Sequence, residues 1–215
     1  MRNSLPESGG AMDILRGVGL TFSETMAGHL GIGATDASRG VEQGRADDTP
    51  IRFDAKIVID DLQSFLSVSD HEAGLEGTVT FEPLGGTFEM QDGRFNLFSI
   101  DPETGTRQMV YRFRFTAEGG QEYCLKGEKW IRDDPGSLDA LEDMTRLFTV
   151  VHKGEDAEAP VYGSGEMYFD LVDAPKLFSS IEITGEASFW QRAAARLAFA
   201  SFAYGALRTE YLGKA

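Results

Sequence analysis

Most side chains that could do chemistry in this chain are scattered, and one stands out of place. Glu24 lies in GLTFSETMAGHL, where Leu20, Phe22, Met26 and Leu30 fall on one side of a two-residue alternation and Thr21, Ser23 and Thr25 on the other. A carboxylate on the apolar side is a candidate buried acid–base group, with a strand-end position as the plain alternative. Glu128 and Glu166 also sit in strand-like runs. Two carboxylates share acid–base work only when they face one cavity, so surface pairing with arginines is the simpler expectation for both.

His29, His71 and His152 are far apart and make no HxxxH or HxH spacing. No metal site is predicted from them, although His29 and His152 lie near strand ends and could meet in space. Asp133, Asp134, Asp139, Glu142 and Asp143 form a dense carboxylate run without the D-x-D-x-D-G loop that calcium requires. It reads as a turn and then the dipole-favoured start of a short helix. Gly31-Ile32-Gly33 leads into no helix pattern, and Gly163-Ser164-Gly165 lacks the spacing of a nucleophile elbow. The single cysteine, Cys124, sits inside a strand pattern and reads as a small buried hydrophobe. No catalytic residue, cofactor or metal is assigned.

The elements that must position these groups are strands. From Arg107 to Lys153 the chain runs MVYRFRFTA, Gly119-Gly120, EYCLKGEKWIRDD, Pro135-Gly136 and TRLFTVVHK, extended segments bounded by turn residues. Tyr111, Phe113 and Phe115 share one face and Arg112 and Arg114 the other. Tyr123, Leu125 and Ile131 are set against Cys124, Lys126, Glu128 and Trp130, which makes Arg-to-Glu pairs across strands available. Leu147, Thr149 and Val151 alternate with Phe148 and Val150, which predicts a strand covered on both sides. Residues 53–60 and 75–81 alternate in the same way. Asp92-Gly93 predicts a tight hairpin between 87–90 and 94–100. Gly163 and Gly165 suggest a bend or a close backbone approach.

Residues 31–50, rich in Gly, Asp and Ala, read as a mobile loop. Residues 1–16 read as a flexible arm with a helical turn near its end. Asp173-Ala174-Pro175 opens a short helix, and SIEITGEA gives a last strand. From Phe189 the chain turns alanine-rich and helical, apolar nearly all round, so a helix over 187–212 is expected to have a second contact. Its interface candidates are Phe189, Trp190, Leu197, Phe199, Phe202, Tyr204 and Leu207.

These elements predict a mostly β fold with one domain over 17–215. It is an antiparallel calycin- or lipocalin-like β-barrel of about eight or nine strands with a long C-terminal α-helix. The interior and any ligand lining would draw on Phe22, Glu24, Met26, Ile57, Val79, Phe113, Phe115 and Leu125. With 41% hydrophobic residues and 15 Phe, a full core is affordable; a net charge of −15 disfavours nucleic acid and anionic membranes. No basic leader and no long apolar run is present, which predicts a soluble cytoplasmic protein without membrane insertion.

KGEKWIRDDPG, DMTRLFTVV, Phe22–Gly28 (FSETMAG) and the run from Gly163 to Asp170 together resemble an accessory region of large bacterial cholesterol-oxidase-like proteins. Those proteins combine a glucose-methanol-choline oxidoreductase, often with an α/β-hydrolase domain. The resemblance implies a β-barrel module beside oxidation or hydrolysis of sterol-like or other lipid substrates, and it implies no active-site residue. The leading expectation is therefore a non-catalytic binding module for a lipid or sterol-like molecule. The alternatives are a scaffold domain docking a partner or a second copy through its C-terminal helix, and a small barrel isomerase or hydrolase using Glu24 or a histidine.

Overall fold

The alternating runs become strands, and successive barrel strands pair antiparallel. The computed structural model describes residues 13–131 and 144–212. Among the described residues the strands are β1 (Gly19–Ile32), β2 (Pro50–Ile59), β3 (Glu72–Phe81), β4 (Gly86–Glu89) and β5 (Gln91–Ile100). They continue with β6 (Arg107–Thr116), β7 (Glu122–Ile131), β8 (Arg146–His152), β9 (Val161–Tyr168) and β10 (Glu182–Thr184). An up-and-down barrel closes in the order β1-β2-β3-β5-β6-β7-β8-β9, with β9 returning to β1. The expected antiparallel barrel with a C-terminal helix is the observed architecture. The short β4 and β10 are additions, paired to β3 and β1 respectively.

The two-residue alternation fixes which side chains enter the barrel. Met26, Phe53, Ile57, Val79, Phe113, Phe115 and Leu125 are all fully buried in one continuous core. The closing seam needs bare backbone: a Cβ on Gly165 would lie 2.0 Å from the His29 carbonyl oxygen, and one on Gly28 would lie 1.9 Å from that of Glu166. These strands approach too closely for any side chain there.

Two local readings are corrected. Residues 31–50 are not all loop: α1 (Ala37–Ala46) forms, N-capped by the Asp36 carboxylate on the Arg39 N–H. Its Gly40 and Gly44 stack one helical turn apart, and a Cβ on Gly40 would lie 2.0 Å from the Ser164 carbonyl oxygen. The glycines that weaken its intrinsic helicity let it seat directly on the barrel wall. Asp92-Gly93 is not a hairpin turn either. Both β4 and β5 pair with β3, and the Asp-Gly pair sits in a register shift inside β5, with Asp92 at φ 50°.

Among the described residues three further α-helices have given bounds: α2 (Leu62–Ser67), α3 (Ala174–Ser179) and α4 (Phe189–Leu212). Ser188 and Gln191 cap the start of α4 reciprocally, side chain to backbone in both directions. Arg192 ties the same turn to the Ile183 carbonyl at 2.6 Å. Ala194, Ala195, Ala198, Phe199, Phe202, Ala203 and Ala206 then form one stripe packed on the core, at the three- and four-residue spacing of a helix face. The N-terminal arm is anchored at its end by Leu15, 2% exposed. The acidic run 133–143 lies outside the described residues.

Candidate functional site

The barrel is not equally tight at its two ends. β9 pairs with β1 from Ala27 to Ile32, and β10 pairs with it only from Gly19 to Thr21. The β1 residues between, Phe22 to Met26, have no strand along that edge. The segment 171–181 covers them instead, and the Ser23 N–H donates to Ser180 Oγ at 2.9 Å. Opposite, β5 is bulged between Asn96 and Ser99, and Phe98 takes a left-handed backbone, φ 57°. For a bulky residue that conformation costs about 1–2 kcal/mol. It turns the successive side chains Leu97 and Phe98 to the same space, and both are buried.

That space is a cavity of about 350 Å³. Phe22, Phe95, Leu97, Phe98 and Met109 line it from the barrel. Leu177, Phe178, Phe199 and Ala203 close it from α3 and α4. Phe199 packs its ring on Phe22 and Phe65, and Phe202 on Phe65 and Phe98, so α4 is the lid of the barrel as well as its last element. Leu171 and Phe178 line the cavity yet remain 46% and 70% exposed, which gives it an apolar rim.

Against this apolar wall stand Glu24, Lys129 and Tyr111. Lys129 Nζ is 3.9 Å from Glu24 Oε2, with side chains only 3% and 6% exposed, and it lies 5.2 Å from the centre of the Tyr111 ring. Glu24 Oε1 is buried without a hydrogen-bond partner. Burial holds the Lys129 ammonium below the usual lysine range, and the charge of Glu24 offsets only part of that. Burial also drives the Tyr111 phenol well above its ordinary value, and Glu24 adds to the shift, chiefly through its charge. The group thus offers an amine whose charged form is penalised by burial, a carboxylate with one oxygen lacking a hydrogen-bond partner, and a phenol that keeps its proton.

A second buried carboxylate lies on the outer wall beneath α1. Glu166, 2% exposed, accepts from Arg146 Nη2 at 2.7 Å and Nε at 3.0 Å, from the Tyr168 hydroxyl, and from Ser38 Oγ of α1 at 3.2 Å. Burial alone would raise its pKa. The hydrogen bonds from Arg146 and Tyr168, the Arg146 charge and the Ser38 contact outweigh it and leave the carboxyl below its usual range. Both its oxygens are occupied. A larger open groove of about 650 Å³ runs over the outer face beside Arg52 and Asp54, which pair with each other and with Thr25.

Of the residues expected to line a ligand site, Phe22 and Glu24 border this cavity. Met26, Ile57, Val79, Phe113, Phe115 and Leu125 belong to the packed core and contribute nothing to the cavity wall. The histidines do not converge: His29 is paired in register with Glu166, while His71 Nδ1 and His152 Nδ1 each contact a local carbonyl at 2.8 Å. Among the described residues no three His, Cys, Asp or Glu side chains gather as a metal site. Cys124 is buried, and burial pushes its thiol up. Glu166 pairs with an arginine, but in a buried position, and Glu128 pairs with Lys126 at 2.6 Å. Arg112 faces Lys126, and Arg114 pairs with Asp92 and Glu155, so the expected Arg-to-Glu ladder between β6 and β7 is absent among the described residues.

Among the interface candidates, Phe199 and Phe202 are covered by the chain's own barrel. Phe189, Trp190, Leu197 and Tyr204 are exposed, and the Leu207 side chain lies outside the described residues. Among the described residues no helix is long and apolar enough to cross a membrane. Lys129 and Tyr111 are the polar cavity-wall residues that sequence reasoning passed over. Lys129 shares the inward parity of Tyr123, Leu125 and Ile131, the same signal that exposes Glu24. Comparison of the chain with protein-family models, with curated proteins and with solved structures gives no match.

Proposed function

We propose that this protein binds a compact apolar molecule bearing one polar group, held in the cavity under α4 with its polar group against Glu24, Lys129 and Tyr111. The observation that carries this reading is the pairing of an apolar cavity of about 350 Å³ with a loosely paired, buried charge couple on its wall. Its size is at the low end of small-molecule sites, which favours a short chain or a small ring system over a large lipid. The apolar rim at Leu171 and Phe178 suits a ligand that passes from another apolar surface. The likeness to the accessory region of cholesterol-oxidase-like proteins agrees with a lipid-derived ligand and an oxidoreductase or hydrolase as working partner.

Native mass spectrometry of the purified protein tests the binding, with Ala203→Trp as the blocked control. Wild type is expected to carry or take up one small apolar molecule per chain, and the variant to lose it. Equal uptake by the two would remove the cavity from consideration. A second reading draws on Trp190, Leu197 and Tyr204, which repeat every seventh residue on α4 and are 64–74% exposed. A second copy or a partner helix could pack along that stripe, and analytical ultracentrifugation of wild type against Leu197→Glu tests it.

A further inference from the structure

We propose that Lys129 forms a reversible imine with the carbonyl carbon of an apolar aldehyde or ketone held in the cavity, with Glu24 as counter-ion to the protonated product. The proposal rests on the binding reading above and names the ligand chemistry. A lysine that only neutralised a buried glutamate would be expected in close, saturated contact with it, because burial of both charges is compensated only by good geometry and further hydrogen bonds. Here the pair is separated by 3.9 Å, one carboxylate oxygen has no partner, and both residues line the cavity. Glu166 on the outer wall has the saturated geometry, so the fold can build it.

The reaction needs nothing beyond these groups and the carbonyl. Lys129 passes a proton to Glu24, its lone pair attacks the carbonyl carbon, the C–O π pair moves to oxygen, and Glu24 returns that proton to the oxygen. The carbinolamine nitrogen then gives a second proton to Glu24, which delivers it to the hydroxyl as water leaves and the C=N bond forms. Ammonium and carbonyl give protonated imine and water, Glu24 regains its charge, and no oxidation state changes. Nitrogen must attack unprotonated, and burial of Lys129 penalises its charged form. Among the described residues Glu24 from β1 and Tyr111 from β6 are the titratable groups beside it: the phenol keeps its proton and can hydrogen-bond the carbonyl oxygen, and the carboxylate can relay protons from nitrogen to that oxygen. The protonated imine then retains a positive charge beside Glu24, and the apolar walls limit access of the water that would hydrolyse it.

The chain has six lysines. Lys56, Lys153 and Lys176 are exposed and Lys126 is half-buried, so an ordinary surface reaction would mark them first. Full-length protein is incubated at neutral pH with naphthaldehyde and sodium cyanoborohydride, then peptide-mapped. Binding of naphthalenemethanol, which has no carbonyl, is followed in parallel by fluorescence. The expected result is a reduced adduct at Lys129 at least about tenfold above that at any other lysine, competed away by the alcohol. Lys129→Met and Lys129→Arg should each lose it. Labelling spread over the exposed lysines would overturn the imine. If the alcohol binds and Lys129 stays unlabelled, the cavity reading stands and the imine falls; if neither compound binds, both fall. The wild-type peptide map decides the matter even if a Lys129 variant does not fold.

Discussion

The barrel carries two buried carboxylates in opposite conditions. On the outer wall Glu166 is held by a forked arginine, a phenol and a serine from α1, and no acceptor is left over. In the interior Glu24 has one lysine at 3.9 Å and an oxygen with no partner. The first arrangement is what a buried charge needs in order to stabilise a fold, here by fastening α1 over the β8–β9 wall. The second is poor for stability. A charge couple left incomplete at the edge of a cavity is what the proposed ligand would complete.

Breaking the outer cluster should have the largest effect. Glu166→Ala leaves Arg146 and Tyr168 without their acceptor and is expected to cost about 3 kcal/mol in urea unfolding, with little effect on ligand binding. Next comes the helix this cluster fastens: Gly40→Ala places a Cβ against the Ser164 carbonyl and should cost about 2 kcal/mol by forcing α1 off the wall.

The two clusters should also respond to pH in the same direction but in different windows. Glu166 has a lowered folded pKa, so its contribution is complete above the unfolded carboxyl value of about 4.3 and is lost as pH falls through the lower folded value. Glu166→Gln should flatten the acid limb of a stability–pH curve. Lys129 also has a lowered folded pKa, so the slope has the same sign but lies in an alkaline window, and here it marks relief from burying a cation. Between that value and the unfolded value of about 10.4 the unfolded chain binds more protons, so stability rises with pH across this window. Lys129→Met should abolish that rise. Above about 10 the raised Tyr111 pKa works the other way and stability falls. A flat alkaline limb in wild type would contradict the burial of this pair.

How much of this the sequence discloses depends on period. Two-residue alternation reads the barrel directly, because each strand has one face in the core. It also isolates Glu24 as a carboxylate on the wrong side. The same parity reaches Lys129, but Gly127 interrupts the apolar run before it, and a lysine near a strand end resembles an ordinary surface charge. α1 is hidden because its glycines serve packing at the expense of local propensity, and only the docked structure reveals why they are there. Asp92-Gly93 shows the same limit: local chemistry forecasts a tight turn with the left-handed backbone at the glycine, whereas strand pairing makes a bulge with that backbone at Asp92. The cavity itself arises from two seam failures, at Phe22–Met26 and at Phe98, and both depend on partners distant in sequence.

The most direct measurement is paired unfolding and ligand titration of Glu24→Met/Lys129→Met. If the interior couple is kept for a ligand, replacing both charges with apolar side chains of similar size should leave stability within about 1 kcal/mol of wild type or raise it. The ligand's polar group should at the same time lose its site. A double variant destabilised as much as Glu166→Ala, with ligand binding intact, would make the couple a structural element and contradict the account.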